Sequence, residues 1–282
     1  MMLDCNTNFI YFADCLPKQY FAFYQQLMHV VMKCKIKFDF LPAAKHIGIA
    51  DYMPIQLGLN HFMQSSELLI DNLEPLERKK ISKAETISHR LDLPLQTLNI
   101  QLRRANLVTT TDKIIICDTV FKDNIHIEAH LLVNTLRELF QVNQIIVIPT
   151  AVDNVKGNAN GMLRFINSDT VLVNDYSKED ISFQYQLLNA LENAKLNFIT
   201  LPYHPYFNRN IHEVNGIYIN YLETEQAIIL PNYAMPTDEK AFSVLHDIFN
   251  WKTIATVDCN DIAHTGNGLN NIAWNIKKLN AH

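Results

Sequence analysis

The sequence predicts an α/β protein built from five ββαβ-type units arranged around a pseudo-fivefold axis. Three observations predict it. Apolar segments that end in Asp or Asn recur along the chain: Phe9-Ile-Tyr-Phe-Ala-Asp14, Ile114-Ile-Ile-Cys-Asp118, Val171-Leu-Val-Asn-Asp175 and Ile228-Ile-Leu-Pro-Asn232. The last three start at 114, 171 and 228, a spacing of 57 residues, and a fixed internal period is the signature of repeat architecture. Each is followed by a stretch of helical periodicity and then by another apolar segment.

The elements follow in order. The first strand lies 105 residues before the second, close to two periods, so one unit belongs between them, with His61-Phe-Met-Gln64 as its strand. Pro17 suits the start of the first helix, and Pro236-Thr-Asp-Glu precedes the last. Leu132, Leu136, Leu139 and Phe140 share one helical face, and Phe242, Leu245 and Phe249 share another. Second strands are expected at Ile36–Phe40, Gln144–Pro149, Asn197–Pro202 and Thr253–Val257. A third strand, best seen at Gly216–Leu222, should turn by a hairpin into Ala227–Leu230. The segment Leu269–Ile276 has no downstream partner, and pairing it with Asn8–Asp14 would close a ring and hide two edges.

Composition excludes several classes. The chain has 282 residues, 48% of them hydrophobic, with 19% charged and a formal net charge of -5, so neither a disordered chain nor a nucleic-acid footprint is expected. The cluster Arg78-Lys79-Lys80 reads as a solvated face. Cysteines 5, 15, 34, 117 and 259 form no Cys-x-x-Cys pair, which suits a reduced compartment. Met1–Asn6 holds no basic stretch leading into an apolar one, and no apolar run is long enough to span a bilayer, so a cytoplasmic protein without membrane partners is expected. With 7 glycines and no Gly-rich phosphate loop, no nucleotide cofactor is implied, and no cofactor of any kind is expected.

Two glycine-framed segments carry the chemistry: Gly157-Asn-Ala-Asn-Gly-Met-Leu-Arg-Phe165 and Gly266-Asn-Gly-Leu-Asn-Asn-Ile-Ala-Trp-Asn275. They resemble the catalytic motifs of the agmatine deiminase and bacterial peptidylarginine deiminase family, which read Gly-His-x-Asp-Gly-Met and Gly-Gly-x-Leu-Asn-Cys-Ile-x-Trp. Further blocks are similar to the family: Asp51-Tyr-Met-Pro-Ile-Gln56, Leu201-Pro-Tyr-His-Pro-Tyr206 and Gly216-Ile-Tyr-Ile-Asn-Tyr221. The resemblance spans nearly the whole chain. It implies the pentein fold, a five-bladed α/β-propeller, as a single domain over 1–282, with units near 8–60, 61–113, 114–170, 171–227 and 228–282.

The family reaction hydrolyses a guanidinium: a Cys thiolate attacks the guanidine carbon, a His moves protons, and carboxylates hold the cation. Carried over by motif, the thiolate position is Asn271, the imidazole position is Asn158, and the carboxylate two residues on is Asn160. Asp51 matches a retained substrate-holding carboxylate, but its family neighbours Arg and Trp are Ala50 and Gly48 here. The family block Leu-Asp-Gly-Gly-Asn corresponds to Leu102-Arg-Arg-Ala-Asn106, so an acid becomes Arg103 and two glycines become Arg104 and Ala105. An amide is neither nucleophile nor proton shuttle near neutral pH. The resemblance therefore implies the fold, and the departures argue against the reaction.

Plainer readings stand beside these. Asn158 and Asn160 also suit a loop that bonds its own turn, and Asp51 also suits a strand end. Arg164 alternates with apolar residues and is expected to face solvent. Cys259, twelve positions before Asn271, is not expected to replace the nucleophile, and Cys117 reads as core. His204, His212 and His264 lack metal-ligand spacing. His126 and His130 would share a face if helical but have no third ligand, so no metal is expected. Three functional readings follow. The first is a pseudoenzyme binding a small molecule in a central pocket through Asp51, Arg103, Asn158, Asn160 and Asn271. The second is an active enzyme, either of altered chemistry on a neutral or anionic metabolite, motivated by Arg103 and Arg104, or a residual deiminase acting on a small guanidino compound. The third is a partner of an active paralogue, or of a second copy, through the outer helices.

Overall fold

The computed structural model describes residues 2–65, 84–151, 157–203 and 213–279. Its strands form five three-stranded sheets. Strand β1 (Phe9–Ala13) lies between β15 (Ala273–Ile276) and β2 (Lys37–Leu41). The others are β3 (Ile55–Gly58), β4 (His61–Ser65) and β5 (Leu95–Leu98); β6 (Val108–Thr109), β7 (Lys113–Cys117) and β8 (Gln144–Ile148); β9 (Leu163–Asn167), β10 (Thr170–Asn174) and β11 (Asn197–Leu201); and β12 (Leu222–Glu223), β13 (Ala227–Asn232) and β14 (Thr253–Asp258). Every sheet has one grammar. The middle strand pairs antiparallel with one neighbour and parallel with the strand that follows it in the chain.

The parallel step needs a crossover, and a helix supplies it. Phe21–Lys33 joins β1 to β2, Ala129–Phe140 joins β7 to β8, Ile181–Asn193 joins β10 to β11, and Asp238–Ile248 joins β13 to β14. Ala84–Arg90 is the described part of the connection from β4 to β5. The buried stripes repeat at i, i+4, i+8: Phe23, Leu27 and Val31; Leu132, Leu136 and Phe140; Phe183, Leu187 and Leu191. That spacing keeps three side chains on one face of a 3.6-residue helix. Asp180 caps its helix by accepting from Ser182 N and Phe183 N at 2.8 and 3.2 Å.

The Asp that ends a middle strand has a visible task. Asp14 Oδ2 accepts from Ala43 N at 2.8 Å, and Asp118 Oδ1 accepts from Thr150 N at 3.1 Å. Each of these two carboxylates thus fastens the chain just beyond the parallel strand, whereas Asp175 and Asn232 accept locally, from Ser177 N at 3.2 Å and Ala234 N at 3.0 Å. The units read from the sequence interlock, because their boundaries fall at hairpins. Strand β3 at the end of 8–60 pairs with β4, and β15 near the chain's end pairs with β1, joining Phe9 to Ile276 and Phe12 to Ala273.

Two expectations need correction. Gly216–Leu222 is not one strand: Ile217 makes an isolated antiparallel bridge with Tyr203, Tyr218–Asn220 forms a 3-10 turn, and the strand that pairs with Ala227–Asn232 is Leu222–Glu223. The Tyr218 hydroxyl, at 2.7 Å from both Thr237 Oγ1 and Asp238 Oδ1, ties the turn to the last long helix. Phe242 is not on the buried face of that helix. Ala241 and Leu245 are, and Phe242 stacks on His246 at the surface. His126 and His130 do not share a helical face, since the helix begins at Ala129, and His130 sits 3.4 Å from Glu128. No helix among the described residues is long and apolar enough to cross a membrane. Arg78–Lys80, His204 and His212 lie outside the described residues.

Candidate functional site

The first glycine-framed segment leaves β8 and enters β9 through a 3-10 turn, Ala159–Gly161, with Asn158 at its N-cap. Gly157 has φ +62°, a left-handed value that a side chain resists, and a Cβ there would collide with the Thr119 side chain. Its carbonyl accepts from the buried Asn106 Nδ2 at 2.9 Å. The backbone of this segment is therefore held from two sides. Gly157→Ala is expected to destabilise the protein by about 1–3 kcal/mol and to loosen the Asn158 loop. The midpoint of a urea transition measures it.

The second segment packs its own glycine against the chain. A Cβ on Gly268 would lie 2.7 Å from the Asn220 amide carbon, so only glycine lets the loop approach Asn220 this closely. Asn270 N donates to Asn220 O at 3.1 Å, Asn271 N donates to Gly268 O at 2.9 Å, and Asn271 O accepts from Ala50 N at 3.0 Å.

These loops meet in a cavity of about 80 Å³ lined by Asn158, Asn160, Asn220, Asn270, Asn271 and the rings of Tyr176 and Tyr203, among others. The three sequence-predicted positions Asn158, Asn160 and Asn271 are thus brought together. Among the described residues of the lining none is charged, and none is Cys or His. Asn271 Oδ1 is buried without a hydrogen-bond partner among the described residues. Amides donate and accept without net charge. The arrangement can orient a small polar group, and its described walls hold no thiol or imidazole.

Asp51 and Arg103 do not join this lining. Asp51 closes the 3-10 turn Ile49–Asp51, whose Ala50 touches Asn271 through the backbone. Arg103 N donates to Asn106 Oδ1 at 2.8 Å, and its Nε turns toward the same oxygen. Within so tight a turn adjacent residues point apart, and the cation that faces the interior is Arg104.

Arg164 is also placed against expectation. It is buried, because its guanidinium has partners inside: Nη1 donates to Tyr221 O at 3.1 Å, Nη2 donates to Asp4 Oδ2 at 2.9 Å, and the group lies 4.4 Å over the Tyr221 ring. Arg104 Nη2 donates to Asp4 Oδ1. Glu223 stands 3.6 Å from Arg164 and 2.6 Å from Lys252 Nζ. This cluster borders a second cavity, of about 260 Å³, that meets the amide cavity at Asn160. Asp4, Glu223 and Lys252 carried no sequence signal, since the cluster exists only where five distant segments converge.

Neither Cys117 nor Cys259 lines the amide cavity. Burial pushes Cys117 up to about 12, and its Sγ contacts Met162 Sδ at 3.5 Å. Burial pushes Cys259 well above the ordinary thiol range, and Asp258 adds to it. His264 is exposed and 3.1 Å from Glu213. Among the described residues no three His, Cys, Asp or Glu side chains come together as metal ligands.

This is the mixed α/β fold of the guanidino-modifying pentein deiminases. The agmatine deiminase of C. jejuni has 14% sequence identity to the chain and superposes with a TM-score of 0.81 over 98% of this chain and 95% of the other. The putative arginine deiminase of Porphyromonas gingivalis gives 15% identity and a TM-score of 0.74 over 97% of each chain. The dimethylarginine-type hydrolase DDAH of Pseudomonas aeruginosa, at 10% identity, still superposes at 0.58 over 96% of this chain and all of the other. No curated protein matches the chain significantly in sequence. The Porphyromonas-type peptidyl-arginine deiminase family matches residues 78–276, more than half of the chain, and the protein belongs to that family.

Proposed function

We propose that the chain is a non-hydrolysing member of its family, a pseudoenzyme that binds a small molecule or a partner's side chain in the amide-lined cavity. One observation carries the reading: Asn158, Asn160 and Asn271 converge on a cavity whose described walls hold no thiol, imidazole or carboxylate. A guanidinium would find no countercharge there. One carboxylate at ~4 Å is worth ~4 kcal/mol at an effective dielectric near 20, so its loss removes most useful affinity for a cation. A cysteine-to-serine variant of the C. jejuni agmatine deiminase has substrate bound, which supports binding as a property separable from turnover. The five interlocked sheets support a closed pentein ring, acting as one domain over 1–282 in the cytoplasm.

Agmatine, arginine and arginyl peptides should yield no ammonia or ureido product above a heat-killed control. Asn271→Cys alone should stay equally silent, because the proton relay and the cation clamp are also missing. Turnover by the unaltered chain would overturn the reading, and turnover by the single variant would overturn its multiple-defect basis. A second reading, an enzyme acting on an anionic metabolite, draws support from Arg104 at the interior cavity but has no identified nucleophile.

A further inference from the structure

The second cavity has a chemistry of its own. Its wall includes Arg104, Arg164, Asp4, Glu223 and Asn160, with Thr109 and Thr111 beyond them. Three cations, Arg104, Arg164 and Lys252, face two carboxylates, Asp4 and Glu223. If all are ionised, the cluster carries one unit of excess positive charge.

The excess falls on Arg104. Arg164 donates to Tyr221 O and to Asp4 and lies over the Tyr221 ring, and Lys252 is held by Glu223 and by Thr224 O at 2.9 Å. Arg104 has five N–H donors in a planar fork. Among the described residues its one acceptor is Asp4, reached through Nη2. Arg104 lines the cavity, with its side chain 14% exposed. Burial and the neighbouring Arg164 hold this guanidinium down at about 10, so it is protonated at neutral pH and gains from any negative charge brought beside it. Further out, Lys113 pairs with Asp112 and Asp169, and Asp169 is largely exposed, so the acidic rim lies in solvent.

We infer that this cavity is an oxyanion site, in which the Arg104 fork receives a carboxylate or phosphate of a small metabolite with Asn160, Thr109 and Thr111 beside it. A fork of N–H donors fits either anion bidentately. The site occupies a position where the family block has a glycine, so it is a property of this chain. The proposal rests on Arg104, which does not line the amide pocket, so it stands whether or not hydrolysis is lost.

The test uses the full chain with malonate, its neutral isostere malonamide, and inorganic phosphate as probes, followed by calorimetry and by alkylation of Cys5. Cys5 lines the cavity and is exposed. A bound anion should slow its modification by N-ethylmaleimide, read by peptide mapping. Malonate or phosphate should bind, malonamide should not, and Arg104→Met should weaken binding at least tenfold while Arg104→Lys retains part of it. Binding of malonate alone assigns a carboxylate, and binding of phosphate alone assigns a phosphate. Asp4 keeps Arg164 in the Met variant, so the fold is expected to survive. Should it fail, the Cys5 protection and the malonate-malonamide contrast in the unaltered chain decide. Equal effects of an anion on the unaltered and Met chains would mark a general salt effect and overturn the proposal, as would no binding and no protection.

Discussion

Glu223→Ala should destabilise the protein by about 3–5 kcal/mol, the range for breaking a buried ion pair by removing one partner. Glu223 and Lys252 are nearly inaccessible, with side-chain exposures of 7% and 9%, and their charged atoms lie 2.6 Å apart. Arg164 is 3.6 Å from the same carboxylate. Without Glu223, among the described residues, Arg104, Arg164 and Lys252 face Asp4 alone, and Lys252 retains only the Thr224 carbonyl. Glu225, two residues on, is an internal control. It pairs with Lys277 at side-chain exposures of 38% and 29%, and exposed pairs contribute about 0–1 kcal/mol. Glu225→Ala should therefore shift the urea midpoint little. Adding Lys252→Met to Glu223→Ala should recover part of the loss, since the uncompensated ammonium is then gone. A loss under ~1 kcal/mol for Glu223→Ala would mean that water or structural relaxation screens the cluster, and the excess charge assigned to Arg104 would have to be discounted.

The cluster also shows where sequence reading stops. Middle strands were legible because a fully buried strand is a short run of apolar residues: Ile114, Ile115 and Ile116 are all inaccessible. The strand-end Asp was legible as a recurrence, although its bond to the chain beyond the parallel strand was not. The helix exits were illegible. Lys35, Asp92, Gln141 and Lys195 all take φ between 51° and 56° just after a helix, where glycine is the usual residue. Four repeated turns thus left no glycine to mark them. Gly216–Leu222 misled because its alternation suits a strand, while the Tyr218 hydroxyl bonds pull it into a 3-10 turn. At the site, Asn158, Asn160 and Asn271 were found through their glycine frames, which persist because the loops need the backbone freedom and the close approach. Arg103 and Arg104 were both visible as replacements, yet only the turn geometry decides which one faces the interior. Arg164 reads like any surface residue on an alternating strand until Asp4 and Glu223 arrive from the chain's start and its last third.

Trp274→Ala should cost about 3–5 kcal/mol, the range for truncating a buried Trp, and its consequences should reach both ends of the chain. Trp274 is 1% exposed on β15. Its ring stacks on Tyr11 of β1 at 5.5 Å and packs on Phe62 of β4 at 5.9 Å, while Nε1 donates to Pro54 O at 2.9 Å. One side chain therefore ties the C-terminal strand to the first sheet and to the second. Trp274→Phe separates the two contributions: it keeps most of the apolar contact but leaves the Pro54 carbonyl unpaired, for an expected loss of about 1–3 kcal/mol. Urea transitions followed by far-UV circular dichroism give both values, and the emission of Trp251, which is 68% exposed, reports the surface independently. If β15 is the closing strand, the alanine variant should also expose the β1 amides to hydrogen exchange before those of β10, whose partners β9 and β11 lie within one continuous stretch of chain. Equal protection of β1 and β10 in that variant would mean that the β1–β15 pairing holds without its tryptophan, and the closure would then rest on the backbone ladder from Phe9 to Phe12.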